Sequence, residues 1–267
     1  MIYVHDLWKS YYGVSVLKGL TLTVPEGKTM VILGRSGAGK SVLLRQVIGL
    51  ERPDKGYIEV GGTRITDVSP KELCQLQRQF GMLFQSSALF DTMSVGENVA
   101  FYLRQHGEIM PTSPYGWRPL TEAEINERVE VALGKVGLSG YQGKMPSELS
   151  GGQKRRVALA RLIVYKPKVI LYDEPTTGLD PITSMQISDL IKETNHELGA
   201  TAILVTHDIK SALHTGDFFA LHHEGAIAVC DERERFTASP HPLVREFFDK
   251  AIIPPRYASG ATVQGVP

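Results

Sequence analysis

The chain is poor in cysteine and carries no excess of either charge. Its 267 residues include two cysteines, Cys74 and Cys230, which stand far apart and outside any C-x-x-C spacing. A disulfide framework is thereby excluded, and a zinc site with them. Each is expected to pack as a small hydrophobic side chain. Lysine plus arginine number 29 and aspartate plus glutamate 29. No global field therefore draws nucleic acid or an anionic membrane, and any polyanion has to be held by a local arrangement. No uncharged run approaches the roughly 18 residues that a membrane-spanning helix needs. Met1-Ile2-Tyr3-Val4 opens directly in strand-like sequence with no basic and apolar leader, so a cytoplasmic protein is expected. The apolar fraction, 42%, and the charged fraction, 22%, are those of an ordinary folded domain and exclude a disordered, collagen-like or coiled-coil chain. What the sequence has in plenty is glycine, 26 residues clustered in a few short segments.

Thr21-Leu22-Thr23-Val24 alternates polar and apolar, Pro25-Glu26-Gly27-Lys28 punctuates, and Thr29-Met30-Val31-Ile32-Leu33 is a β-rich apolar run, which predicts a strand pair ending at Gly34. From Lys40 the apolar spacing (Val42, Leu43, Val47, Leu50) becomes helical and ends near Pro53. Strand-like runs recur at 81–84, 169–172 and 202–205, the last two after helix-like segments. That pattern predicts an α/β chain with a mostly parallel sheet covered on both faces. Residues 94–166 read as an inserted helical subdomain, with three- and four-residue apolar steps over 122–136 and 151–165. Inside it, 107–119 is Pro- and Gly-rich and reads as an irregular surface loop. Two strands are expected over 217–231, flanking His222-His223-Glu224-Gly225, and a short amphipathic helix over 243–251. One domain over 1–251 and a Gly/Pro/Ser/Ala-rich tail over 252–267 follow.

Gly34-Arg35-Ser36-Gly37-Ala38-Gly39-Lys40-Ser41 satisfies G-x-x-x-x-G-K-[ST] between a predicted strand and a predicted helix, where a phosphate-binding loop belongs. Its glycines let backbone N–H groups close on phosphate, Lys40 reaches toward the β/γ-phosphates, and the Ser41 hydroxyl suits Mg²⁺. ATP or GTP is the expected ligand. Val169-Ile170-Leu171-Tyr172 ends in Asp173-Glu174, two carboxylates at the carboxyl edge of a strand, suited to hold the Mg²⁺ shell (Asp173) and polarise an attacking water (Glu174). Ser150-Gly151-Gly152-Gln153 opens a further helix with a capping serine and bare amides, a second place for an anion. His222-His223 do not suggest a metal site, because adjacent strand residues face opposite ways. Lys154-Arg155-Arg156 reads as a solvated helix face rather than a nucleic-acid patch.

The run LSGGQKRRVALARLIVYKPKVILYDEPTTGLDP resembles the signature helix, Walker B strand and D-loop of ABC ATPases, and the resemblance extends from Ile2 to about Asp231. It implies a P-loop NTPase with an antiparallel β subdomain beside the parallel core. Residue by residue, it implies that Gln85 is the Q-loop glutamine touching Mg²⁺ and facing the membrane partner. His207 would be the switch histidine at the γ-phosphate, Asp180 the D-loop acid, and Tyr11 or Tyr12 the aromatic stacked on adenine. It further implies a head-to-tail pair, each nucleotide lying between residues 34–41 of one copy and 150–153 of the other, and a separate permease. The segments around Phe84-Gln85-Ser86-Ser87-Ala88-Leu89-Phe90-Asp91 and Val95-Gly96-Glu97-Asn98 are similar to those of the Mla/Mce lipid-transport ATPases. Phospholipid transport at the cytoplasmic face of a bacterial inner membrane, with an Mce-type lipid-binding shuttle protein and no nucleic acid, is what that likeness implies. An amino-acid importer ATPase and a soluble, non-transport ABC ATPase share the nucleotide motifs and remain the alternatives.

Overall fold

The computed structural model describes residues 1–109 and 117–252. β1 (Ile2–Tyr11) and β2 (Val14–Val24) form an antiparallel hairpin turned at Tyr12-Gly13, both with left-handed backbone (φ 50° and 80°). β3 (Thr29–Leu33) leads into α1 (Lys40–Val47), and β4 (Lys55–Val60) with β5 (Thr63–Arg64) returns to the hairpin. A four-stranded antiparallel sheet results, in the order β2-β1-β4-β5. After α2 (Pro70–Gln77) and β6 (Phe80–Leu83), the chain runs through α3 (Val95–His106), a short ribbon of β7 (Glu108–Ile109) and β8 (Trp117–Arg118), α4 (Glu122–Lys135) and α5 (Gly151–Ile163). It then adds β9 (Val169–Asp173), α6 (Pro181–Leu198), β10 (Thr201–Thr206), α7 (Ile209–Thr215), β11 (Phe218–His223), β12 (Ala226–Glu232), α8 (Arg233–Thr237) and α9 (Pro242–Ile252). The second sheet has the order β12-β11-β3-β10-β9-β6 and is parallel except for β12.

β3 lies inside this sheet and is buried at every residue, so its alternate side chains enter two separate interiors. Val31 and Leu33 join α3, α4 and α5 in one apolar cluster. Met30 and Ile32 join α1 and the antiparallel sheet in the other. Each such side chain contributes roughly 1.5–3 kcal/mol by leaving water. The helices start where local chemistry predicts: Ser69, Ser94, Thr121 and Ser150 cap α2, α3, α4 and α5 with reciprocal boxes closed by Glu72, Glu97, Glu124 and Gln153. Asp180 and Asp208 cap α6 and α7. α1 differs, for its N-cap is Gly39 and no side chain closes it.

Several expectations are corrected. β2 and β3 do not pair: β2 alternates buried and exposed residues as an antiparallel strand with one wet face does, and its partner is β1. Both cysteines are exposed rather than packed, Cys74 because α2 has no buried residue, and Cys230 because it lies on the sheet-edge strand β12. The ends of the 107–119 segment pair as β7 and β8; a Cβ on Gly107 (φ 68°) would sit 2.0 Å from the Arg118 carbonyl oxygen, so that approach requires glycine. The rest of that segment and the tail, from residue 253 onward, lie outside the described residues.

Candidate functional site

β3, β9 and β10 run parallel and in register, with Leu33 opposite Thr206 and Asp173 opposite Val205, so the segments that follow them gather at one carboxyl edge. Residues 34–41 wrap that edge between β3 and α1, with Gly37 and Gly39 at φ 76° and 101°. The loop is tight where glycine stands: a Cβ on Gly39 would meet Val16 Cγ1 at 2.6 Å, and one on Gly34 the His222 carbonyl oxygen at 2.9 Å. Around Gly37 there is open space. Lys40 is buried, and its ammonium donates to the Gly34 and Arg35 carbonyls at 2.9 and 3.0 Å, which folds the side chain back over the loop. The first amides of α1 have no helical acceptor and no side-chain cap, so they and Lys40 present positive charge to the same space. Arg35, Ser36 and Ala38 belong to this loop; the Ala38 amide donates to Arg35 O at 3.3 Å.

The Ser41 hydroxyl donates to Asp173 Oδ1 at 2.8 Å, bringing two oxygen ligands together beside the loop. Burial raises the Asp173 carboxyl above its usual range, partly opposed by the Ser41 hydrogen bond. A hard divalent cation suits this donor set, all oxygen and one of them anionic, and an uncapped helix end suits phosphate. Next in sequence, Glu174 has a left-handed backbone (φ 48°) and a mostly buried side chain. Its Oε1 lies 3.5 Å from Lys40 Nζ. Its Oε2 accepts from Thr177 Oγ1 at 3.1 Å and Thr206 Oγ1 at 3.3 Å, and lies 2.9 Å from His207 Nδ1. Behind the loop, a cavity of about 310 Å³ is lined by Gly34, Arg35, His207 and the buried His222. Burial, with Lys40 nearby, pushes the His222 imidazole down to about 4, so it stays neutral near pH 7.

The remaining candidates fall in three places. Gln85 is exposed just beyond β6. Ser150, Gly151, Gly152 and Gln153 form the amino end of α5, where Ser150 Oγ accepts from the Gln153 amide at 3.3 Å. Among the described residues no hydrogen bond or ion pair links them to residues 34–41. Asp180 caps α6, and hydrogen bonds from Thr183, together with the Ile182 amide, hold its carboxyl below the usual range. Tyr11 ends β1 with its hydroxyl donating to Glu51, while Tyr12 at the hairpin turn is fully exposed. Sequence reasoning missed Thr177 and Thr206, although both flank named residues. It also misplaced Arg155, which is 4% exposed, not solvated, because its guanidinium turns inward to the Phe84 and Gln85 carbonyls.

An uncapped helix end with a lysine folded over it, two oxygens ready for a cation, and a strained carboxylate at the same sheet edge define a P-loop nucleotide-binding ATPase. Residues 17–177 match the ABC transporter family, and the chain belongs to it. It is 39% identical over 254 residues (95% of this chain, 68% of the relative) to the "Probable ribonucleotide transport ATP-binding protein mkl" of Mycobacterium tuberculosis. To the "Intermembrane phospholipid transport system ATP-binding protein MlaF" of Escherichia coli K12 it is 39% identical over 248 residues, 92% of this chain and 88% of that one. Among solved structures it is similar to a dimeric ATP-binding cassette in a post-hydrolysis state, bound to ADP and Pi, at TM-score 0.77 and 29% identity over 87% of this chain and 99% of that one. No helix among the described residues is long and apolar enough to cross a membrane.

Proposed function

We propose that this chain supplies the energy for a phospholipid-moving ABC transporter, hydrolysing ATP on behalf of a separate permease and an Mce-type lipid-binding shuttle protein. It works from the cytoplasmic face of a bacterial inner membrane. The α1 amides and Lys40 bind the phosphates, and Tyr11 or Tyr12 stacks on the adenine. Ser41, Asp173 and Gln85 would hold Mg²⁺, which when bound neutralises charge on the phosphate oxygens. The Glu174 carboxylate takes the proton of the attacking water, and His207, already hydrogen-bonded to its Oε2, fixes its direction. Ser150, Gly151, Gly152 and Gln153 meet the nucleotide bound by a second copy in a head-to-tail pair, with Asp180 at the seam. Two anion-ready helix ends in one chain, unconnected to each other, suit that arrangement.

The observation that carries the lipid assignment is the identity with MlaF across 92% of the chain. It is supported by an aromatic cluster at the Q-loop: Phe84 and Phe90 are 38% and 41% exposed, and the Phe90 and Phe101 rings lie 4.8 Å apart, a surface suited to a permease helix. The test is affinity purification from native membranes, followed by mass spectrometry of proteins and lipids. A permease, a shuttle protein and enriched phospholipid are expected. Recovery of an amino-acid-binding protein, or of bound ribonucleotide cargo, without enriched phospholipid overturns the assignment.

A further inference from the structure

α5 and the segment after β6 are joined by two arginines whose terminal nitrogens donate to main-chain oxygens, while the buried Nε of Arg155 has no hydrogen-bond partner among the described residues. Arg155 Nη1 donates to Phe84 O and Nη2 to Gln85 O, each at 2.5 Å. Further along the helix, Arg161 donates to Ala88 O at 2.8 Å and Ser87 O at 3.1 Å. Taking a guanidinium out of water costs several kcal/mol, and without a carboxylate that cost is offset only by well-aimed hydrogen bonds. A leucine or methionine would fill the Arg155 site at lower cost. What the arginine adds is a rigid fork that fits two successive carbonyls, which neither lysine nor glutamine provides. The loop it grips is itself under tension: Ser87 and Ala88 have left-handed backbones (φ 64° and 45°), and Arg161 holds the carbonyls of both.

The same helix begins at Ser150, so the two forks make the Ser150 turn and the Gln85 backbone one mechanical body. We propose that Arg155 is a positioning residue for hydrolysis. Its grip on Phe84 and Gln85 aims the Gln85 side chain toward Ser41 and Asp173, and it makes the Ser150 end of α5 follow the Q-loop. This rests on Gln85 being a metal-facing side chain.

The test is ATPase kinetics against free Mg²⁺ and against ATP for Arg155→Gln, Arg155→Lys, Gln85→Ala and the double variant Arg155→Gln/Gln85→Ala, with hydrogen exchange over residues 84–88. Arg155→Gln is expected to lower kcat about tenfold and to raise the Mg²⁺ needed for half-maximal rate, while KM for ATP changes less than about twofold. Arg155→Lys recovers part of the rate, and the double variant is no worse than Gln85→Ala alone. Additive losses in the double variant, or an unchanged Mg²⁺ requirement in Arg155→Gln, overturn the proposal, since a purely structural arginine shifts melting temperature and not metal dependence. Should Arg155→Gln not fold, wild-type exchange and Mg²⁺ dependence in Arg155→Lys overturn it. Wild-type Mg²⁺ dependence in Gln85→Ala removes the underlying role of Gln85 instead, a result distinct from additivity.

Discussion

Glu174 concentrates the site's chemistry in one side chain, with Oε1 toward Lys40 and Oε2 held by Thr177, Thr206 and His207. Two hydroxyls and the His207 ring nitrogen on one oxygen fix the carboxylate, and the left-handed backbone aims it off the end of β9. Glu174→Gln keeps the shape and loses the base. ATP affinity should stay within about twofold while turnover falls roughly 10²–10⁴-fold, as measured by equilibrium binding and steady-state ATPase. Wild-type turnover in that variant removes Glu174 from the reaction. Lys40→Ala acts on the other side of the site: losing a charge-assisted contact worth about 1.5–3 kcal/mol should weaken ATP binding roughly 10- to 150-fold. Unchanged affinity there would refute the phosphate-binding role of the loop.

Elements whose ends are set by neighbours in sequence were the readable ones. Residues 34–41, the capping Ser150 and the acids closing β9 each carry their reason within a few positions, and the structure places them at strand and helix ends. The inward turn of Arg155 was not readable, because the carbonyls that bury it belong to residues 84 and 85, brought there only by packing of α5 against β6. The exposure of Cys74 and Cys230 likewise depends on which face of α2 and β12 the rest of the molecule leaves open. Capping boxes have a pH consequence. The Thr121 amide, then Arg118 and the Thr121 hydroxyl, hold the Glu124 carboxyl down at about 2 from an ordinary 4.5. The unfolded chain therefore takes up that proton first, so the stabilisation is complete above pH 4.5 and drains away as pH falls toward 2. Melting temperature followed across that window should fall less steeply in Glu124→Gln than in the parent; identical slopes would mean that the box adds nothing to acid sensitivity.

At the scale of the whole molecule, the two anion-ready helix ends set the expected assembly. Ser150→Arg should leave ATP binding by one subunit intact and block closure, because a long cation replaces a small hydroxyl. Mixed with Lys40→Ala chains, it assembles pairs with one intact site and one doubly damaged site, so activity absent from either variant alone should return on mixing. If mixing restores nothing while Ser150→Arg alone hydrolyses normally, the site is not shared between copies. The place of β3 in its sheet has a bearing on how the protein is made. The ribosome delivers the phosphate-gripping strand well before its sheet neighbours, Thr201–Thr206 and Phe218–His223. Until those arrive, β3 is an apolar ribbon with two open edges, a hazard that slow, non-local sheets share. The capacity to grip nucleotide is therefore acquired abruptly and late: arrested nascent chains ending before residue 201 should fail to bind ATP, whereas chains released after residue 232 should bind it. A newborn chain of this kind carries its phosphate loop unsupported until β10 and β11 have emerged to flank it.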